Sequence, residues 1–176
     1  MLKSLTPLTV TAGCDTPPSS LNYQPDQSIA NGVITKVSAT GTVCVYLSQQ
    51  AHVVLDVFGV FPTNEAFTPI APTRAVDTRD NDRPQAARST LVVDVGAQYA
   101  NQSVSVNLTV PGAVGRGYAT LYACDQPRPA TSSLNYQPNQ SIANGVITKV
   151  SGDGEVCVYL NRQAHVVLDV FGVFPD

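Results

Sequence analysis

Residues 19–62 of this 176-residue chain return as residues 132–175, 113 positions on, without a gap. Only six positions change: Asp26/Asn139, Ala39/Gly152, Thr40/Asp153, Thr42/Glu155, Ser48/Asn161 and Gln49/Arg162. Near-identical blocks at a fixed spacing mark a chain built of repeated units, each of which must bury its apolar face against something. Upstream of Ser19 the copies diverge, and Cys14 matches Cys124 at an offset of 110. A spacing of 113 in 176 residues makes one complete unit, residues 63–176, preceded by the closing half of another, residues 1–62. The opening segment Phe67–Pro111, with Thr73-Arg-Ala-Val-Asp-Thr-Arg79, occurs once. A half unit cannot bury a sandwich face alone and leaves a strand edge open, so the reading expects either a piece of a longer chain or a half domain completed by a neighbour.

Strand signals dominate and helix signals are nearly absent. In the complete unit, strands are expected near Arg74–Asp77, Ser89–Val95, Ser103–Val110, Tyr118–Ala123, Ser133–Tyr136, Gly145–Val150, Glu155–Leu160 and His165–Phe171. Ser103–Val110 alternates with period two, which puts Val104, Val106, Leu108 and Val110 on the core face. Turn residues punctuate the chain every eight to twelve positions, and Gly154, matched by Gly41, fits the left-handed position of a tight hairpin. About eight short strands in such a span predict an all-β fold, an antiparallel β-sandwich of immunoglobulin-like or jelly-roll-like kind, with a small β-barrel as the alternative.

Composition narrows the function. Charged residues make up 13% of the chain, hydrophobic residues 43%, and the net charge is −3. So little charge argues against disorder and against a solvated helical bundle. The acidic balance supplies no field for nucleic acid, and no apolar run approaches the roughly 20 residues of a membrane helix, so neither nucleic-acid binding nor membrane insertion is expected. Four cysteines without a Cys-x-x-Cys pair, in a Lys-poor chain rich in Thr, Ser, Asn and Gln, read as disulfides of an exported protein, with four buried thiols as the alternative. The repeat selects the pairs Cys14–Cys44 and Cys124–Cys157, one per copy. Met1-Leu2-Lys3-Ser4 runs straight into Thr-Pro-Leu-Thr-Val without an apolar core for a leader, which reads as an export signal removed or lying elsewhere.

Candidate sites are few. The only two histidines, His52 and His165, are copies of one position in His-x-x-x-Asp, with Asp56 and Asp169. Four residues along a strand span about 13 Å, too far for a hydrogen bond, and no Gly-x-Ser-x-Gly supplies a nucleophile, so these residues read as structural and no enzyme is expected. Asp77-Thr-Arg-Asp-Asn-Asp-Arg83 gathers acidic side chains, of which Asp80 and Asp82 are weak calcium candidates, but the spacing of a calcium loop is missing. The preferred reading has Arg79 packing inward and binding a carboxylate such as Asp77 bidentately, with Asp80 and Asp82 solvated. No cofactor is expected. Tyr23 and Tyr136, beside Asn22 and Asn135, form a candidate ligand surface for glycans, with a packed corner role as the alternative.

Val76-Asp-Thr-Arg79, Val106-Asn-Leu-Thr-Val-Pro111, Ser133-Leu-Asn-Tyr136, Val156-Cys-Val-Tyr159 and Ala164-His-Val-Val-Leu-Asp-Val-Phe-Gly-Val-Phe174, in that order, resemble a tandem β-repeat of large secreted and surface proteins of actinobacteria. The resemblance covers nearly all of the second unit and the first from about Leu8. The first unit departs from it by lacking the Asp-Thr-Arg half, and Val60 or Val173 stands where the closing pattern has an aromatic. It implies exported, non-catalytic modules at the cell surface or outside the cell. The expected function is therefore a structural or adhesive repeat module that pairs with copies of itself or with neighbouring repeat units. A carbohydrate-binding module acting on surface glycans is the alternative.

Overall fold

The structure is a computed structural model, and it describes residues 6–11, 21–23, 25, 28–33, 37–60 and 67–175. It divides into two compact units, Met1–Leu55 and Asp56–Asp176, which are described separately. No helix among the described residues is long and apolar enough to cross a membrane.

The first unit holds one antiparallel sheet of β1 (Thr6–Thr11), β2 (Leu21–Tyr23) and β3 (Cys44–Leu47), in the order β2-β1-β3. The second unit carries β4 (Thr68–Asp77), β5 (Ser89–Asp94), β6 (Ser103–Val110), β7 (Gly117–Ala123), β8 (Leu134–Tyr136), β9 (Ile142–Lys149), β10 (Glu155–Leu160) and β11 (Val167–Phe174). These strands form two four-stranded antiparallel sheets, β5-β10-β7-β8 and β4-β11-β6-β9. Their apolar faces share one core, with Val93, Leu121, Leu134, Val156 and Leu160 from the first sheet and Val104, Val106, Leu108, Val146 and Leu168 from the second. The fold is the expected β-sandwich, and among the described residues no sheet closes into a barrel.

β6 shows how the sequence sets the layering. Its Val104, Val106, Leu108 and Val110 are all buried, as the period-two alternation requires, while the intervening Ser103, Ser105, Asn107 and Thr109 are half-buried. Gly154 closes the turn after Ser151 at φ +83°, donating its amide to the Ser151 carbonyl over 3.0 to 3.1 Å as Gly41, at φ +79°, does to Ser38. A side chain would be strained at either position.

Three strands depart from the expected bounds by more than one residue. β9 runs Ile142–Lys149, starting three residues before Gly145, because its pairing with β6 continues to Ile142 opposite Val110. β4 begins at Thr68, six residues before Arg74, although Pro69 and Pro72 lie within it. An edge strand tolerates proline because the missing amide faces away from the ladder, and β4 is an edge strand paired only with β11. β11 begins at Val167 rather than His165 because His165 leaves the ladder, its amide donating to the Pro111 carbonyl at 3.0 Å. Register shifts beside Leu168 and Gly172 then break strict alternation. His165, Val167, Asp169 and Phe171 therefore do not present one regular face, and the adjacent Val167 and Leu168 are both buried.

Strand register refines the repeat. β2, β1 and β3 correspond to β8, β7 and β10 in the same order, and Leu8 opposite Leu47 takes the place of Ala119 opposite Leu160, 111 positions on. The cysteines align at 110 instead, so the copies differ by one residue between β1 and Cys14.

Candidate assembly surface

In the complete unit, three strands of the opening half hold the closing half. β11 lies between β4 and β6, β9 pairs only with β6, and β10 pairs with β5 on one edge and β7 on the other. The first copy has equivalents of β7 to β11 but none of β4, β5 or β6. Its Ala51–Pro62 is identical to Ala164–Pro175, yet none of the described residues 51–60 lies in a strand. Val54 is 85% exposed, Val57 79% and Val60 78%, whereas Val167, Val170 and Val173 at the same places are buried. Ladder formation here is decided by partners and not by propensity, since the residues are the same. The outer edge of β3, where β10 meets β5, is also without a described neighbouring strand, and Tyr46 on it is 47% exposed. Exposed apolar residues, and a strand edge without a described partner, are each features of an association surface.

A polar lock fixes the same slot in the complete unit. The Asp77 side chain is 3% exposed and accepts from Arg79 Nε at 2.8 Å, Arg79 Nη2 at 2.6 Å, the Arg79 amide at 3.1 Å and Arg74 Nη1 at 3.0 Å. The hydrogen bonds from Arg79 hold the Asp77 carboxyl well below the usual carboxylate range, against the opposing effect of burial. Arg74 also donates from Nε and Nη2 to Asp169, at 2.8 and 3.3 Å, and this contact keeps the guanidinium protonated more firmly than usual. The clamp thus joins β4 to β11. Beside it, Thr78 Oγ1 accepts from the Val166 amide at 2.9 Å and is hydrogen-bonded to His165 Nδ1 at 3.1 Å.

The bidentate Arg79–Asp77 contact is present, but the expected inward packing of Arg79 is not. The carboxylate is buried and the guanidinium, 52% exposed, caps it from outside, because a cation is cheaper to leave in water than to bury. His165 and Asp169 take separate partners, Thr78 and Arg74. Of their first-copy counterparts, His52 is exposed and Asp56 half-buried, and residues 1–51 contain no equivalent of the segment that carries Arg74 and Thr78. Arg74 and Thr78 were not singled out in the sequence; the signal for Arg74 was an unassigned cation three residues before Asp77 on the same strand.

Cys124 and Cys157 form a disulfide. Cys44 is also disulfide-bonded, while its expected partner Cys14 lies outside the described residues. Asp80 and Asp82 are exposed, and among the described residues no group of three His, Cys, Asp or Glu side chains gathers to hold a metal ion.

The candidate glycan surface is corrected at Tyr136. This side chain is fully buried and donates its hydroxyl to the Arg162 carbonyl at 2.9 Å, and burial pushes its phenol up. It is a corner residue, closed to a ligand because its ring fills the core. Tyr23 is half-buried and donates in the same way to the Gln49 carbonyl at 2.7 Å. Asn135, on β8, is half-buried, and the side chain of Asn22 lies outside the described residues. Half-buried aromatic rings meet elsewhere, where the Arg128 guanidinium lies 3.8 Å from the centre of the Tyr159 ring, itself 6.0 Å from that of Tyr118.

No protein-family model matches the chain, and no curated protein matches it.

Proposed function

We propose that this chain is a non-catalytic structural module of an extracellular or cell-surface protein, which joins neighbouring units or chains by strand addition at its incomplete first unit. One observation carries the reading: the sequence that is a buried central strand at β11 is exposed and outside any strand at residues 51–60. Main-chain ladders give such additions their affinity, and alternating side chains give them register. The Cys124–Cys157 disulfide suits an oxidising compartment, and the ordered motifs shared with secreted tandem repeats favour the same placement. Light scattering from micromolar to millimolar concentration tests association. A mass that rises with concentration is the expected result, and a monomer throughout would overturn the assembly reading.

A further inference from the structure

The sheet β5-β10-β7-β8 carries on its outer face a cation that the protein holds in place and leaves unpaired. Residues 125–132 cross that face as a strap pinned at both ends. At one end the Cys124–Cys157 disulfide ties it to β10, and the Gln126 amide donates to the Ala123 carbonyl at 3.1 Å. At the other, Thr120 Oγ1 donates to the Thr131 carbonyl at 2.9 Å, and Ser133 Oγ accepts from the Leu121 amide at 3.0 Å. Between these ties Pro127 and Pro129 flank Arg128. A proline fixes its own φ and keeps the residue before it extended, so the backbone at Arg128 has little freedom. The guanidinium comes to rest 3.8 Å from the centre of the Tyr159 ring.

Hydrogen-bonding groups without a protein partner stand around it. The Tyr118 ring lies 6.0 Å from that of Tyr159, tilted by 43°, and Asn135 is opposite Tyr118 on β8. All three share the outer face, because Thr120 is opposite Tyr159 and two residues from Tyr118. Arg128 is exposed, and the two tyrosines and Asn135 are half-buried. Among the described residues Arg128 forms no ion pair, and the hydroxyls of Tyr118 and Tyr159 and the side-chain amide of Asn135 make no hydrogen bond. A guanidinium fork fits a carboxylate bidentately, and holding it in place beforehand lowers the ordering cost of binding. Tyrosine offers an apolar body with a polar tip, which suits a sugar ring with its C–H face and hydroxyl rim. The net charge of −3 disfavours a polyanion, so the complement is a single carboxylate on a polar ring.

We propose that Arg128, Tyr118, Tyr159 and Asn135 form a binding site for an acidic sugar residue of a glycan, its carboxylate on the Arg128 fork and its ring beside Tyr118. The site does not depend on the assembly reading, because every residue in it lies in the complete unit. The first copy lacks its parts: Asp15-Thr-Pro-Pro18 contains no arginine, and Pro7 stands opposite Asn22 where Tyr118 stands opposite Asn135.

Titration of the isotope-labelled full chain with the methyl glycosides of glucuronic, galacturonic and N-acetylneuraminic acid, followed by NMR, tests the site. At least one glycoside is expected to give saturable shifts in the Arg128 Nε–H and in the amides of residues 118, 135 and 159, with one site per chain. Neutral methyl glucoside should bind at least about 10-fold more weakly. Arg128→Ala should weaken binding about 30-fold and Tyr118→Ala about 5-fold, while Arg128→Lys, which keeps the charge and loses the fork, should fall between the parent chain and Arg128→Ala. Arg128 is exposed, so both of its replacements should melt with the parent chain, which separates a lost contact from a lost fold. Absence of saturable shifts with all three acidic glycosides overturns the proposal. So does binding that Arg128→Ala leaves unchanged, which puts the carboxylate elsewhere. Acetate that binds at these residues as tightly as the glycosides overturns it too, because the sugar ring then contributes nothing.

Discussion

Val57 and Val170 occupy the same place in an identical twelve-residue sequence, yet Val57 is 79% exposed and Val170 2%. What separates them is the presence of β4 and β6 on either side of Val170. Residues around this pair thus provide internal controls, the same substitution in the same local sequence with and without a core.

Leu168→Ala removes a fully buried side chain from that core and is expected to destabilise the complete unit by about 3 kcal/mol. Leu55→Ala, at the matching half-exposed position, should change stability by no more than about 0.5 kcal/mol. Urea denaturation of the two variants checks the contrast, and equal losses would refute the assignment of the core.

Asp77 makes the polar lock sensitive to acid. Its folded pKa lies below that of the unfolded chain, so between the two values unfolding takes up a proton and stability falls with pH. The contribution is complete above about pH 4 and drains away below it. Asp77→Asn is expected to cost about 2 kcal/mol at pH 7. Melting curves from pH 7 to pH 2 should show the gap between native and variant protein narrowing as the acid end is approached.

The Cys124–Cys157 bridge closes 33 residues of the closing half. Constraint of the unfolded chain over such a loop is worth about 3 kcal/mol. The double variant Cys124→Ser, Cys157→Ser should therefore unfold at a lower denaturant midpoint, with an extrapolated unfolding free energy smaller by about that amount and its strand content by circular dichroism retained at low denaturant.

Gly172 is required by close approach. A β-carbon there would fall 2.8 Å from the Thr68 carbonyl oxygen and into the ring of Phe67, which packs 4.9 Å from Phe174. Gly172→Ala is expected to cost about 2 kcal/mol through overpacking. Gly59→Ala, where nothing lies within 4 Å, should leave the melting temperature within a degree or two of the native value.

Much of this fold was legible because it is written locally. The alternation in Ser103–Val110 fixed a face, Gly41 and Gly154 fixed a turn, and the tyrosine corner forms in both copies because its donor and acceptor lie within one closing half. What local sequence could not reveal is the fate of residues 51–60, because identical residues are a strand in the second copy through pairing with segments 58 to 105 positions away. The start of β4 was hidden by its prolines, which only its edge position makes harmless. The candidate site was legible as an absence, the missing Asp-Thr-Arg half. Which of Asp77 and Arg79 is buried depended on packing that no spacing encodes.

Thr68 lies opposite Val173, so the chain enters and leaves the complete unit at one end, on neighbouring antiparallel strands. Tension drawn through those two points loads the β4–β11 ladder a single rung at a time, as a zipper opens, instead of shearing every rung together. A string of such units would give way at low force, one after another, and close again when the load falls. The Cys124–Cys157 bridge would cap how far each could pay out, because the residues between the two cysteines cannot extend while it is closed.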